Sequence, residues 1–159
     1  RRGLTLIRHL LLLVALGNIG FGVWVMIEPR MVIDQMLEWQ GSEPYSGVLS
    51  AASLGEMRAL MGGLVTMLGV VTVRALWNPI YATWLQPLAW CYLGTALARA
   101  SSYLLDGGSF SRYTFICVAI EGSTALLLGI HCQRLLREHE ELEDEEDLED
   151  SEEMYEEEF

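Results

Sequence analysis

The chain has 159 residues, 52% of them hydrophobic, and this length suits a single domain. Residues 138–159 hold 15 acidic residues and no Lys or Arg, whereas residues 1–137 hold ten arginines against seven acids. Three cysteines inside apolar runs exclude a secreted disulfide scaffold, and scattered arginines beside an acidic tail argue against a nucleic-acid partner. The composition indicates an apolar, slightly basic body joined to an acidic tail.

Long apolar segments predict an all-α, polytopic membrane protein, with a four-helix transmembrane bundle over residues 1–137. The four spans lie at about 8–27, 51–73, 80–105 and 113–132. Each approaches the roughly 20 residues that cross a bilayer, and none alternates with the period of two that marks a strand. We interpret the first as a span and not as a signal peptide, because no small-residue cleavage site follows it.

The segment between the first two spans predicts a short interfacial helix. In the sequence MVIDQMLEW at 31–39, four side chains are spaced to lie on the bilayer surface: Met31, Val32, Met36 and Trp39. Further along the chain, the sequence DGGS at 106–109 is typical of a tight turn between the third and fourth spans.

Arginines near the span ends predict the orientation. Six lie on one side, namely Arg1, Arg2, Arg8, Arg74, Arg134 and Arg137, and two lie on the other, Arg30 and Arg112. Because positive charge is enriched on the inner side, we expect both termini inside. The location is then a bacterial inner membrane or an organellar inner membrane.

Four charged residues fall within the spans: Glu56, Arg58, Arg99 and Glu121. An unpaired charge at mid-bilayer costs at least ~2.5–3.5 kcal/mol, and all four are expected in the outer half of the bundle. We therefore predict a charge cluster. Three roles are open to this cluster. It is a closed set of ion pairs that fixes the helix register, a polar pocket for a ligand, ion or proton, or a contact with a partner helix.

Small residues at a spacing of four predict close helix packing. One stripe in the second span comprises Ala51, Gly55, Ala59 and Gly63, and another in the third comprises Gly94, Ala98 and Ser102. Such stripes let helix backbones approach closely, so the second and third spans are expected to pack through them.

Catalytic and metal motifs are not found in the sequence. His9 and His131, near the inner ends of the first and fourth spans, offer a weak alternative as axial haem ligands. We expect no cofactor, no metal site and no enzymatic activity.

The acidic tail, residues 138–159, has three interpretations. It is a disordered solubilising segment, a docking arm for a basic protein surface, or a weak site for divalent cations. A docking arm would use the sparse apolar residues Leu148, Tyr155 and Phe159, which share one face at helical spacing.

The block GEMRALMGGL at 55–64, followed by Leu68-Gly69, resembles a family of small four-helix membrane proteins, the domain-of-unknown-function family four-three-four-five. Leu93-Gly94, Arg99, Asp106-Gly107 and Glu121 also look like that family's pattern. The resemblance covers about residues 5–135 and leaves out the tail. It implies a four-helix membrane fold and no particular reaction, ligand or partner.

The features together favour a non-enzymatic accessory or assembly subunit of a larger membrane complex, with a respiratory or photosynthetic assembly as a natural host. Membrane lipid, other subunits and a basic surface for the tail are the expected partners. The alternative is a small transporter or channel that uses the intramembrane charges. A third hypothesis is a membrane enzyme or haem protein.

Overall fold

The computed structural model describes residues 2–105 and 111–157, and these form five helices with no strand among them. Helix α1 is Arg2–Ile27, α2 is Pro29–Trp39, α3 is Ala51–Ala75, α4 is Leu85–Leu105 and α5 is Arg112–Glu157. The all-α prediction is confirmed. The turn predicted at 106–109 lies outside the described residues.

Local signals in the sequence set the helix boundaries. The hydroxyls of Ser50 and Ser111 accept backbone N–H groups three residues on, at 3.1 Å each, and so cap the starts of α3 and α5. Pro29 occupies the first turn of α2, where a missing N–H costs nothing. Gly41 adopts a positive φ of 74° after α2, and the neighbouring N–H groups close a Schellman turn.

Helix α3 contains a π-helical segment, Arg58–Leu64. In such a segment the chain uses more residues per turn, so the residues beyond it rotate relative to a regular α-helix. The hydroxyl of Thr66 donates a hydrogen bond of 2.8 Å to the carbonyl oxygen of Gly62, which gives that oxygen a side-chain partner within the π-helical segment. The face that α3 presents to its neighbour therefore differs from the face that a 3.6-residue period predicts.

The helices pack as two pairs, α1 along α3 and α4 along α5. The predicted packing between the Ala51–Gly63 stripe and the Gly94–Ala98 stripe is not what the structure contains. Ala51, Gly55, Ala59, Gly94 and Ala98 are exposed, and a Cβ atom added at Gly55 or Gly94 would meet nothing within 4 Å. The reason is that α3 packs along α1 and makes little contact with α4.

Other glycines make the close approach between α1 and α3. A Cβ at Gly22 would lie 2.6 Å from the Gly62 carbonyl oxygen, and a Cβ at Gly69 would lie 2.5 Å from the carbonyl oxygen of Ala15. Only glycine leaves room for these backbone contacts. The buried core lies beside this contact, where Leu11, Leu76, Leu85 and Leu128 bring α1, the end of α3, α4 and α5 together.

Three helices are long and apolar enough to cross a membrane: Thr5–Ile27, Ala51–Ala75 and Arg112–Glu141. The third of the four predicted spans, 80–105, contains α4 and is less apolar, so three helices and not four meet these criteria among the described residues. A 3-10 helix, Pro79–Trp84, capped by Asn78, precedes α4, and α4 itself includes Gln86 and Arg99. Apolar side chains also cover the outside of the molecule, as Leu13, Leu97 and Leu126 illustrate.

Candidate functional site

Arg99 and Glu121 form an ion pair between α4 and α5. The Nε of Arg99 lies 2.9 Å from Oε1 and 3.0 Å from Oε2 of Glu121. The carboxylate side chain is 16% exposed and the guanidinium side chain 37%. Helices α4 and α5 are consecutive in the chain and pack along each other. Arg99 and Glu121 are separated from the connection between the helices by a similar number of residues, so they lie side by side.

The other two charges of the predicted cluster lie elsewhere, on α3. Arg58 donates from Nε to the backbone oxygen of Met26 at 3.0 Å, near the carboxyl end of α1, where a cation is stabilised by the helix dipole. Glu56 is exposed and forms no ion pair with the described residues. The structure therefore brings together one pair of the four charges, because α3 packs on α1 while α4 packs on α5.

A cavity of about 440 Å³ lies against the Arg99–Glu121 pair. All five helices contribute to its wall. The polar part also includes Tyr113, and Asn18, whose side-chain amide donates to the hydroxyl of Tyr92. The remainder of the wall is mostly apolar.

Helix α2 covers one side of this cavity. Met36 and Trp39 line it, and the Trp39 ring lies 6.0 Å from the ring of Tyr113 at the start of α5. The sequence predicted that Met31, Val32, Met36 and Trp39 all lie on the membrane surface. The structure instead buries Val32 and turns Met36 inward, while Met31 and Trp39 are exposed.

Sequence reasoning missed several residues of the cavity, namely Asn18, Tyr92, Tyr113 and Cys117. Asn18 carried a usable signal, since an amide inside an uncharged apolar run must find a hydrogen-bond partner. The two tyrosines and the cysteine carried none, because such residues are common on the surface of any membrane helix.

The two histidines do not form a matched pair. His131 is fully buried, with Nε2 at 3.3 Å from the carbonyl oxygen of Leu76 and Nδ1 without a hydrogen-bond partner. His9 is exposed, with Nδ1 beside the backbone oxygen of Thr5. One ring is thus committed to a backbone carbonyl inside the core and the other faces outward, an arrangement that does not suit two axial ligands of one haem.

No group of three metal-ligating side chains occurs among the described residues. Cys91, Cys117 and Cys132 are free thiols, and Cys132 donates to the backbone oxygen of Ala82 at 3.3 Å.

Two arginines contact aromatic side chains near the turn between α3 and α4. The guanidinium carbon of Arg74 lies 4.8 Å from the Tyr81 ring centroid, and an Nη of Arg74 donates to the Tyr81 hydroxyl at 3.0 Å. Arg8 lies 6.0 Å from the ring of Trp77. These contacts place cations beside aromatic rings, as is usual at a membrane interface.

The acidic tail continues α5 without a break in the backbone. The helix has 46 residues and runs through residue 137, so the boundary at 137/138 is a change of composition only. Positions 148 and 155 are both within the helix, seven residues apart, whereas Phe159 lies outside the described residues.

Comparison with known proteins identifies one family. The model of the family described as "Domain of unknown function (DUF4345)" matches residues 6–131, a range that includes Glu56, Arg99 and Glu121. The resemblance seen in the sequence is thereby confirmed, and the acidic tail lies beyond the match. No curated protein matches the chain. No solved structure matches it either.

Proposed function

The chain belongs to the family of the domain of unknown function DUF4345. We propose that it is an accessory or assembly subunit of a larger membrane complex, without enzymatic activity of its own. In this proposal α1, α3, α4 and α5 all cross the membrane as a four-helix bundle, and α2 lies at its surface. The acidic arm, defined as residues 138–157, docks on a basic surface of a partner protein.

The observation that carries the proposal is the continuous α5 helix. Its last 20 residues extend the helix by about 30 Å beyond the apolar segment. Acidic residues recur along this arm at a spacing of three and four, and each such like-charge pair destabilises an isolated helix by about 0.2–0.5 kcal/mol. A basic partner surface would remove that repulsion and stabilise the helix.

The outer face of α3 supports the same proposal. Glu56 is exposed on a helix that is apolar enough to cross a membrane. It lies about 8 Å from the start of α3, and a carboxylate that faces lipid is costly there unless it reaches the headgroups or a neighbouring protein. A partner helix with a donor opposite Glu56 would satisfy it.

The Arg99–Glu121 pair favours a structural role over ion transport. A carboxylate that carries protons or cations must exchange them, whereas both oxygens of Glu121 lie within hydrogen-bond distance of Arg99. The transporter or channel alternative therefore receives less support from this site. A respiratory or photosynthetic complex of a bacterial or organellar inner membrane is the host that we propose.

The test is isolation of the native full-length protein in mild detergent, followed by sizing and mass spectrometry of everything that co-purifies. We expect co-migration with a large complex. Truncation after Arg137 should leave the body folded and reduce partner recovery most at low salt, because screening is weakest there. A matched control, L148S with Y155S, keeps every acidic residue and separates the charge of the arm from its apolar face.

Equal partner recovery with and without the acidic arm would refute docking through the arm. A lone small oligomer at every salt concentration would refute the subunit proposal as a whole. Ion-flux assays with variants of Glu121 and Arg99 would then test the transporter alternative.

A further inference from the structure

The cavity beside the Arg99–Glu121 pair has the size and composition of a ligand site. Its volume of about 440 Å³ lies within the range of small-molecule pockets, which is roughly 300–1,000 Å³. Pockets between packed helices that combine an apolar wall with a few convergent polar groups are common binding sites. Here the polar groups come from α1, α4 and α5, and most of the apolar wall comes from α1, α2, α3 and α5.

The apolar wall selects the main part of the occupant. Phe21 from α1, Leu60 and Met61 from α3, and Ile120 from α5 line it. Burial of an apolar group against such a wall is favourable, whereas burial of an unsatisfied polar group is costly. The bulk of the occupant is therefore hydrocarbon, as a chain or a ring.

The polar wall selects the charge of the occupant. Arg99 and Glu121 neutralise each other, so a free anion would meet the Glu121 carboxylate and a free cation would meet the guanidinium. An uncharged head avoids both costs.

The same wall selects the hydrogen-bonding character of the head. Arg99 uses Nε for the ion pair, and its Nη groups form no hydrogen bond with the described residues. Its side chain is 37% exposed, and the residue lines the cavity together with Tyr113. Since a guanidinium can only donate, the group that it recognises is a hydrogen-bond acceptor such as a carbonyl oxygen.

We infer that this cavity binds an uncharged amphiphile, an apolar chain or ring that ends in a carbonyl or similar acceptor, with Arg99 donating to that end. This inference stands independently of the proposed subunit function, since it uses neither the acidic arm nor Glu56. It assigns Arg99 two simultaneous roles, an ion pair through Nε and ligand recognition through Nη.

The test is photolabelling of the full chain in phosphatidylcholine nanodiscs. Three diazirine probes share one 16-carbon chain and differ only in the head: a methyl ester, a carboxylate and a trimethylammonium. We expect the ester to label the cavity residues Met61 and Ile120, with an excess of unlabelled methyl palmitate suppressing that labelling. The hydrogen bond from a charged donor predicts a preference of about tenfold over the trimethylammonium, which cannot accept one. Repulsion by the Glu121 carboxylate is expected to disfavour the carboxylate probe.

Two substitutions on α5 distinguish binding in the cavity from contact with the outer surface of the helix. Cys117 lines the cavity, whereas Ser123 on the same helix is exposed and lies outside the cavity wall. C117F should abolish the competed labelling, and S123F should leave it unchanged. The double variant R99L/E121L removes the polar end without stranding a charge, and it should lose the preference for the ester while the hydrocarbon chain still enters.

Equal labelling by all three probes would overturn the inference. So would labelling that unlabelled ester does not suppress, or that is as strong at the outward-facing Leu13 as in the cavity, because both indicate contact with bulk lipid. Unchanged ester preference in R99L/E121L would exclude Arg99 as the recognising group.

Discussion

At the scale of single residues, the Arg99–Glu121 pair explains how this chain keeps two charges inside an otherwise apolar body. Both charged side chains are partly buried, and an unpaired ion in such surroundings has a high desolvation cost. Coulombic attraction and the two short contacts offset that cost only while both partners are present. Removal of one partner is therefore expected to destabilise the protein more than replacement of both partners by apolar residues.

Replacement of either partner alone, R99L or E121L, should destabilise the protein. Loss of one partner of a fully buried pair costs about 3–5 kcal/mol, and the partial exposure of Arg99 reduces this to about 2 kcal/mol. The measurement is folded abundance in membranes together with thermal stability in detergent. The double variant R99L/E121L should recover part of the loss, because it leaves no charge stranded.

The control for this pair is E56Q. Glu56 is exposed and has no ion-pair partner among the described residues, so its replacement should leave the stability of the isolated chain unchanged. Wild-type stability in both single variants of the pair would contradict its structural role.

At the scale of helices, the contact between α1 and α3 depends on glycines that lie at and beyond the π-helical segment. Gly62 and Gly69 face α1, and Gly22 faces α3 in return. The predicted stripe on α3 used a spacing of four, which assumes an uninterrupted α-helix. Each extra residue in a turn rotates the later part of the helix by about 100°, so the π-helical segment changes which residues meet α1.

Substitution of Gly69 by alanine should weaken this helix pair. The added Cβ would lie 2.5 Å from the Ala15 carbonyl oxygen, which is backbone and cannot move without a shift of α1. Such overpacking costs about 1–3 kcal/mol, measurable as a lower thermal midpoint in detergent.

G94A is the matched control for G69A, because a Cβ at Gly94 meets nothing within 4 Å. It should be neutral or stabilise the protein by up to about 1 kcal/mol through helix propensity. A larger loss in G94A than in G69A would mean that α4, and not α1, supplies the close contact.

At the scale of the whole molecule, the number of membrane crossings determines on which side the acidic arm lies. Three helices meet the length and composition of a span, and α4 is less apolar than these three. Helix α4 nevertheless has 21 residues, about 32 Å, and packs along α5. With α4 as a fourth crossing, both termini lie on the same side, which the arginine distribution predicts to be the inner one.

Reporter fusions test this topology. A reporter placed after Arg137 should lie on the same side of the membrane as one placed before residue 1. A reporter inserted near Tyr45 should lie on the opposite side. An acidic arm on the side opposite to the N-terminus would mean that α4 does not cross, and it would reverse the expected side of the basic partner.

The sequence by itself determined the helical class, the extent of α3 within two residues, the end of α1, the start of α5, the acidic composition of the tail and the family. It did not predict that α5 continues beyond the apolar span to Glu157. The features that it determined are local, because apolar run length, capping residues and charge runs act along the chain. It also identified Arg99 and Glu121 as costly in an apolar span, which is a property of each residue alone.

Only the tertiary structure decided which groups meet. The pairing of α1 with α3 and of α4 with α5 placed Arg58 on the Met26 carbonyl and left Glu56 exposed. It also formed the half-open cavity that Asn18 and Tyr113 line, whose residues come from five separate helices. The physical reason is that a contact depends on the rotation and the neighbours of each helix, and in α3 the π-helical segment altered the rotation that the sequence period predicts.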